Sequence, residues 1–157
     1  MLQNKKILVG VTGSVSAYKT AYLIRELIKK GAEVKVVMTA SASEFIHPLT
    51  LSTLSKNPVL TEFVSNNQGE WNNHVELGLW ADVMVVAPTT ANTISKFANG
   101  LCDNLLCATY LSAKCHVMIC PAMDLDMYKH PSVVNNLASL KKYGNEVIDA
   151  EYGELAS

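Results

Sequence analysis

The stretch from Trp80 to Thr93 restricts the possible folds of this chain more than any other segment. It contains the most hydrophobic strand candidate, Val83–Ala87, and Pro88 is predicted to end that strand. The residues that follow, Thr90-Ala91-Asn92-Thr93, are small or polar and are predicted to begin a helix. An apolar strand that ends in polar residues at a helix N-terminus is typical of a central parallel strand with a ligand site at its carboxyl end.

Strand and helix patterns alternate along all 157 residues. The predicted strands are Lys6–Val11, Ala32–Met38, Pro58–Phe63, Val83–Ala87, His116–Cys120 and Glu146–Asp149. The predicted helices are Ala17–Ile28, Glu44–Ser55 with an interruption at Pro48, Thr90–Asn99, Asp103–Ser112, and Asp126–Tyr143 with a restart at Pro131. This alternation predicts an α/β fold, in the form of a single Rossmann-like three-layer domain with a doubly wound, mainly parallel sheet.

Composition excludes several classes of protein. Hydrophobic residues make up 49% of the chain and charged residues 17%, which fits a sheet buried on both faces or an obligate oligomer. A net charge of −1 gives no reason to expect nucleic acid or an anionic membrane surface as a partner. The start, MLQNKKILVG, lacks a signal-peptide pattern, and no apolar run reaches the ~18 residues of a membrane span. The four cysteines form no CxxC pair or zinc-type spacing, which predicts reduced core thiols in a cytoplasmic protein.

Two segments follow the first two predicted strands and are candidates for binding a phosphate. Gly13-Ser14-Val15-Ser16 opens a helix, where free N–H groups and the helix dipole attract anions, although a plain turn has the same pattern. A full GxGxxG motif is absent, and so is the acidic residue that holds the ribose of a dinucleotide. Thr39 and Ser41 occupy that place, which disfavours NAD and leaves room for a mononucleotide.

Later segments supply two further candidates. Thr90-Ala91-Asn92-Thr93 offers the donors and acceptors that a flavin ring edge requires, but from the residues alone simple N-capping is the preferred interpretation. His74 lies between a polar loop and an apolar strand, and of the four histidines it is best placed to face a pocket. His47 and His130 precede prolines and are predicted on the surface, whereas His116 is predicted to be structural.

The segment Pro121–Tyr128 also follows a buried strand. Asp124 and Asp126 are two residues apart, but no third carboxylate is close in sequence, so no metal site is predicted. Met123 and Met127 are four residues apart, a spacing more typical of core packing than of cofactor contacts.

Four motifs together connect this chain to a known family. They are VTGSVSAYK, VVMTASA, HVELGLWADVMVVAPTTANTISKFANGLCDNLL and PAMDLDMY. With them the chain resembles the homo-oligomeric flavin-containing cysteine decarboxylases from Lys6 to its last residue. Within that family the resemblance is strongest to phosphopantothenoylcysteine decarboxylases, including the amino-terminal domain of the bifunctional flavoprotein of coenzyme A synthesis.

The resemblance implies a cofactor, a substrate and roles for individual residues. His74 matches the catalytic histidine, and Asp124 and Met127 match substrate-binding positions. The implied reaction is FMN-dependent decarboxylation of 4′-phosphopantothenoylcysteine, through oxidation of the thiol-bearing carbon to a thioaldehyde, loss of CO₂ and re-reduction. The implied assembly is a trimer or a multiple of trimers. The positions that match FMN contacts are Gly13, Ser14, Ser16, Thr39, Ser41, Thr90, Ala91, Asn92, Thr93 and Ala122.

Two departures from the family pattern concern the substrate end. Asp124 replaces the asparagine that binds the substrate carboxylate in the family, and an ionised carboxylate accepts hydrogen bonds but cannot donate them. Ser157 falls where the coenzyme A enzymes often carry a product-protonating cysteine. Residues 1–157 are thus expected to be a flavoprotein domain that lacks the end of the substrate clamp and any ligase domain.

Three other functions are compatible with these motifs. A peptidyl-cysteine oxidative decarboxylase stops at the enethiol and needs no clamp cysteine. A non-catalytic flavin-binding or regulatory subunit is the alternative from another class, although the presence of His74 disfavours it. Flavin prenyltransferases share the fold implied by the resemblance, but His74 and the PAM motif match the decarboxylases better.

Overall fold

A six-stranded sheet forms the centre of the protein, in the computed structural model that describes residues 1–151. The strand order is β3-β2-β1-β4-β5-β6, and every neighbouring pair of these strands is parallel. This confirms the predicted doubly wound α/β fold. The strands are β1 (Lys6–Val11), β2 (Glu33–Met38), β3 (Val59–Leu60), β4 (Val83–Thr89), β5 (His116–Pro121) and β6 (Glu146–Val147).

Helices cover both faces of the sheet, which makes the three predicted layers. The helices are α1 (Tyr18–Lys29), α2 (Pro48–Ser55), α3 (His74–Trp80), α4 (Ala91–Asn99), α5 (Leu105–Ser112), α6 (Leu125–Lys129) and α7 (Pro131–Lys142). Because side chains alternate along a strand, Ile7 and Val9 pack with α1 and α2, whereas Leu8 packs with α3, α4, α5 and α7. The two apolar clusters lie on opposite sides of the sheet.

Glycine and proline residues mark several of the helix boundaries. Gly31 follows α1 with a φ of +90°, a left-handed conformation that glycine adopts without steric cost. Pro131 restarts the chain as α7 after the short α6, as predicted. The predicted helix over Glu44–Ser55 begins only at Pro48, which lies in the first turn of α2. Helix α3 was not predicted, since the sequence patterns gave no helix between Pro58–Phe63 and Val83.

Four expectations about single residues were wrong. Pro88 and Pro121 do not end their strands, since β4 continues to Thr89 with a register shift after Val86, and β5 includes Pro121. Cys102 is exposed and is not a core thiol, although all four cysteines are free as predicted. The Met127 side chain is 44% exposed, so it is not a core residue.

Within residues 1–151, we find no helix that is both long enough and apolar enough to cross a membrane.

Candidate functional site

The carboxyl edge of the sheet gathers most of the predicted site residues. Strands β1 and β4 are adjacent in space, and the chain crosses to opposite faces after them, so the sheet has its topological switch point there. Open α/β sheets bind ligands in the crevice outside such a point. The loops that end β1, β2, β4 and β5 all meet at this edge.

Backbone and side-chain hydrogen bonds tie these four loops together. The Thr39 N–H donates to the carbonyl of Val11 at 3.0 Å, which joins the ends of β2 and β1. The Ala122 N–H donates to the carbonyl of Thr89 at 3.0 Å, which joins the ends of β5 and β4. Thr12 makes the central link between β1 and β4, and its role was not recognised in the sequence. Its hydroxyl donates to the Pro88 carbonyl at 2.7 Å and accepts from the Thr90 N–H at 3.0 Å.

The loop after β1 forms a tight turn rich in hydroxyl groups. The Ser14 side chain caps a short 3₁₀ turn, Val15–Ala17, by accepting from the Ser16 N–H at 3.3 Å. The Ser14 and Ser16 hydroxyls lie 3.0 Å apart. Gly13 packs against the β2 loop so closely that an added Cβ would lie 2.6 Å from the Ser41 Oγ. The glycine is therefore required for close approach of two loops.

The loop after β2 adds hydroxyl groups to the same edge. The Thr39 and Ser41 hydroxyls lie 3.2 Å apart, and Thr39 Oγ1 also accepts from the Ala42 N–H at 3.3 Å. The short 3₁₀ turn that follows spans Ser41–Glu44. No carboxylate follows β2 before Glu44, so this edge lacks the acceptor that a dinucleotide ribose needs.

The loop after β4 leads directly into α4. Thr90 is the N-cap of this helix, and its hydroxyl accepts from the Thr93 N–H at 3.3 Å. Thr90 therefore caps α4, as the capping interpretation predicted. A ligand-binding role for Thr90 and Ala91 stays a prediction. Asn92 is exposed, and its side chain makes no hydrogen bond within residues 1–151, so both polar ends of its amide are free for a ligand.

The loop after β5 places Asp124 at the start of α6. Asp124 is exposed and is the N-cap, with Oδ1 accepting from the Met127 N–H at 2.9 Å. Aspartate and asparagine cap helices about equally well, so the replacement of the family's asparagine preserves this geometry. What differs is the second polar atom of the side chain, which is an oxygen acceptor in place of an N–H donor.

His74 is the first residue of α3, after the Asn73 N-cap. Its ring makes T-shaped contacts with the rings of Phe63 and Trp71, with centroid distances of 6.2 and 5.9 Å. The Nδ1 atom is buried and has no hydrogen-bond partner among the described residues. Since a buried polar atom without a partner is costly, this atom marks His74 as different from a satisfied structural histidine.

The structure does not link His74 to the other predicted residues by any hydrogen bond within residues 1–151. The switch-point loops are interconnected, whereas His74 is positioned by the start of α3 and lies against the rings of Phe63 and Trp71.

His47 and His130 lie at the surface and His116 has a structural contact, as predicted. His47 Nδ1 accepts from the Leu49 N–H at 3.1 Å and so caps α2. His130 Nδ1 accepts from the Ser132 N–H at 3.2 Å and caps α7. His116 Nε2 lies 2.7 Å from Glu146 Oε2, which joins β5 to β6.

The donor set at the switch point fits the phosphate and ring of a flavin mononucleotide better than it fits a metal. The edge supplies hydroxyls, backbone amides and one free carboxamide. Gly13 lets the loops after β1 and β2 approach closely, so their hydroxyls and amides lie at one place. Within residues 1–151, no three His, Cys, Asp or Glu side chains are grouped as metal ligands. Of the thiols, burial raises the pKa of Cys107 to about 11, which keeps it protonated.

Comparison with characterised proteins gives several relatives. A cysteine/cysteine sulfinic acid decarboxylase from an unknown prokaryotic organism is 57% identical over 112 residues, which are 71% of this chain and 31% of that protein. The coenzyme A biosynthesis bifunctional protein CoaBC of Bacillus subtilis (strain 168) is 41% identical over 99% of this chain and 38% of that protein. This chain therefore spans less than half the length of these two relatives. A probable phosphopantothenoylcysteine decarboxylase of Streptococcus mutans is 41% identical over 97% of this chain and 86% of that protein.

Solved structures give the same grouping. The FMN-dependent cysteine decarboxylase SpaF has a TM-score of 0.90 and 33% identity, over 98% of this chain and 88% of that one. The peptidyl-cysteine decarboxylase EpiD has a TM-score of 0.84 and 28% identity, over 96% of this chain and 90% of that one. The flavoprotein family matches residues 1–157, which is the whole sequence. The chain belongs to the flavoprotein family, among relatives that are decarboxylases.

Proposed function

We propose that this chain is an FMN-dependent decarboxylase that acts on 4′-phosphopantothenoylcysteine. The observation that carries the proposal is the switch-point edge, where four interconnected loops present hydroxyls and amides and no ribose-binding carboxylate. A single phosphate and a flavin ring edge suit these groups. The names of the CoaBC and Streptococcus mutans relatives support the substrate and a role in coenzyme A synthesis.

Residues from the four loops would hold the cofactor. Ser14 and Ser16 would donate to the phosphate, and Thr39 and Ser41 would meet the ribityl chain. Asn92 would meet the flavin ring, because its amide offers both a donor and an acceptor. Ala91, Thr93 and Ala122 would line the pocket. When bound, FMN supplies the redox chemistry that a cysteine-derived carboxylate needs before it can release CO₂.

His74 would manage the thiol proton of the substrate. An imidazole ring has two nitrogens, one of which can accept a proton and one of which can donate it. Its buried Nδ1 has no hydrogen-bond partner within residues 1–151. A substrate or a neighbouring subunit would supply that partner. Phe63 and Trp71 restrict the orientation of the ring.

The assembly is proposed to be a trimer or a multiple of trimers in the cytoplasm. Large apolar side chains are exposed next to the site, including Val75 and Leu79 on α3, which are 45% and 64% exposed. A partner subunit packed on α3 would cover them and would bring further groups close to His74. Light scattering on the purified protein measures the mass of the assembly directly.

Asp124 favours a second candidate substrate, free cysteine. Oδ1 of Asp124 is engaged in capping α6, and the other oxygen is left as an acceptor in an exposed carboxylate. An ionised carboxylate repels a substrate carboxylate, but it attracts the α-ammonium group that free cysteine has and that acylated cysteines lack. The relative with 57% identity, whose name is a cysteine/cysteine sulfinic acid decarboxylase, supports this candidate.

A peptidyl cysteine is a third candidate, supported by the fold shared with EpiD. The product distinguishes this route from the coenzyme A route, because an oxidative decarboxylase releases the enethiol without re-reduction. Ser157 and the start of the clamp, which were predicted to matter for re-reduction, lie outside the described residues.

Product mass with three substrates tests the proposal. The purified protein is first titrated with FMN, and then incubated with phosphopantothenoylcysteine, free cysteine or a peptide ending in cysteine. We expect FMN binding and loss of CO₂ from phosphopantothenoylcysteine, with a further loss of two hydrogens if re-reduction fails. A His74→Asn variant should bind FMN and release no CO₂. A wild-type protein that takes up no FMN would refute the function altogether.

Variants of Asp124 then separate the two small substrates. Asp124→Asn keeps the cap and is expected to retain activity on phosphopantothenoylcysteine, whereas Asp124→Ala loses the cap and is expected to lose activity. If free cysteine is the substrate, Asp124→Asn should lower turnover of free cysteine relative to the acylated substrate. Equal activity of Asp124→Ala and wild type would contradict the assignment of Asp124 to the substrate end.

A further inference from the structure

Thr12 is a buried polar residue at the switch point, with 1% of its surface exposed. It follows β1 directly and contacts β4, 76 to 78 residues away in sequence. Its hydroxyl donates to the Pro88 carbonyl at 2.7 Å and accepts from the Thr90 N–H at 3.0 Å. Its own N–H also points to the Pro88 carbonyl, at 3.3 Å. One residue therefore fixes both sides of Thr89.

This link is needed because the β1–β4 ladder stops. The paired residues of these strands end at Gly10 and Val86, and Pro88 has no N–H with which to continue. The Thr90 N–H therefore takes its acceptor from a side chain, the Thr12 hydroxyl, which also donates to the Pro88 carbonyl. A hydroxyl does both, whereas a valine of the same shape does neither.

We propose that Thr12 is a positioning residue for the cofactor. By holding the Thr90 N–H, it sets the start of α4 at a fixed distance from the loop that begins at Gly13. These two segments are the walls that would hold the flavin ring and its phosphate, so the inference rests on the proposed function. Thr12 contacts neither group itself and acts through Thr90.

The test compares three variants as complete chains. Thr12→Val removes the hydroxyl, Thr12→Ser keeps it, and Thr109→Val is the matched control. Thr109 is also fully buried, but its hydroxyl donates only to the Leu105 carbonyl inside α5. FMN affinity is measured by fluorescence titration, the flavin absorption spectrum is recorded for each complex, and hydrogen exchange of the Thr90 amide is measured by NMR without FMN.

The expected result is selective. Thr12→Val should weaken FMN binding at least about tenfold, the equivalent of one lost buried hydrogen bond, and should shift the flavin spectrum. Thr12→Ser and Thr109→Val should stay within about threefold of wild type on the same scale. Exchange of the Thr90 amide should accelerate in Thr12→Val alone.

Three results would overturn the inference. They are wild-type FMN affinity in Thr12→Val, an equal loss of affinity in Thr109→Val, and failure of Thr12→Ser to restore binding. If wild type itself binds no FMN, the proposed function fails together with the inference. If Thr12→Val binds FMN with normal affinity, only the inference fails and the proposed function stands. If Thr12→Val does not fold, weak binding by a folded Thr12→Ser would also refute the inference, since its hydroxyl is intact.

Discussion

Gly13→Ala tests whether the loops after β1 and β2 are in the close contact that shapes the switch-point crevice. An added Cβ would lie 2.6 Å from the Ser41 Oγ, 2.8 Å from the Ser41 Cβ and 3.1 Å from the Ser41 carbonyl carbon. Favourable carbon–carbon contacts lie at about 3.5–4.0 Å. Rotation of the Ser41 hydroxyl relieves the first contact only, so the two loops must separate.

The expected cost follows from these distances. Inserting one carbon into a packed site costs about 1–3 kcal/mol. For a chain of this size, each kcal/mol lowers the unfolding midpoint by about 2–4 °C, so Gly13→Ala should lower the midpoint by about 2–12 °C. FMN affinity should fall too, because the displaced loop carries Ser14.

A double-mutant cycle with Ser41 isolates the contact. Ser41→Gly removes the two closest atoms and leaves only the carbonyl carbon at 3.1 Å, whereas Ser41→Ala leaves the Cβ at 2.8 Å. In the Gly13→Ala background, Ser41→Gly should therefore restore more stability than Ser41→Ala. We expect a coupling free energy of about 1–2 kcal/mol between Gly13→Ala and Ser41→Gly, measured by chemical denaturation.

The cycle has a clear negative outcome. If the stability losses of Gly13→Ala and Ser41→Gly simply add, the two residues do not clash and the loops are farther apart than described. An unchanged unfolding midpoint in Gly13→Ala would have the same meaning. Either result would remove the argument that a glycine is required at the start of this loop.

Two further predictions concern thiol reactivity and pH. Cys102 is exposed, while burial raises the pKa of Cys107 to about 11. At pH 8 a maleimide should therefore modify Cys102 first and Cys107 last, as measured by peptide mass spectrometry. Equal rates of modification would contradict the burial of Cys107. The hydrogen bond from Lys96 lowers the pKa of Asp103 from its ordinary value, so its contribution to stability is present above the ordinary pKa of aspartate and is lost as the pH falls through the lowered pKa. Thermal unfolding should therefore show Asp103→Asn to be less stable than wild type at pH 7, with a difference that shrinks as the pH falls below the ordinary pKa of aspartate.

The fold was predictable because each strand is a short apolar run between polar, glycine or proline residues. The boundaries of β1 agree with the prediction residue for residue, since Lys6 and the Thr12-Gly13 turn limit the apolar run. Helix α3 escaped prediction because it has seven residues and includes Gly78. An added Cβ at Gly78 would lie 2.9 Å from the Ser112 carbonyl oxygen, so tertiary packing against α5 determines this helix.

The continuation of β4 through Pro88 could not be read from the sequence. A proline in a central strand removes a ladder donor, and sequence rules therefore end the strand there. Thr12, which lies 76 residues away from Pro88 in the chain, holds this end of β4, because its hydroxyl donates to the Pro88 carbonyl and accepts from the Thr90 N–H. Only the folded structure brings the two together. Thr12 was not among the predicted site residues for the same reason, since its contacts are with residues distant in sequence.

The candidate site was predicted in part for a topological reason. Residues that follow parallel strands reach one edge of the sheet, so Gly13, Thr39, Thr90 and Ala122 could be grouped without coordinates. The position of His74 relative to this edge depends on α3 and on any neighbouring subunit, neither of which the sequence pattern specifies.

The motif shared with the decarboxylases, from Thr90 to Leu106, divides into two parts with different physical roles. Its first part faces the switch point. Its second part holds the α4–α5 connection, through the ion pair of Lys96 with Asp103, the left-handed Gly100 with a φ of +70°, and Asn104 as the N-cap of α5. Similarity in this second part is therefore evidence for a shared scaffold and does not discriminate between substrates.

Asp124 differs from the scaffold residues of this motif in what its replacement changes. Where a motif residue only supports the scaffold, a replacement that keeps the hydrogen bond changes little. Asp124 keeps the bond to the Met127 N–H and differs from the family's asparagine in the other polar atom of its side chain, which is an acceptor in place of a donor. If Asp124 lies at the substrate end as proposed, this difference bears on substrate choice while the helix cap is kept.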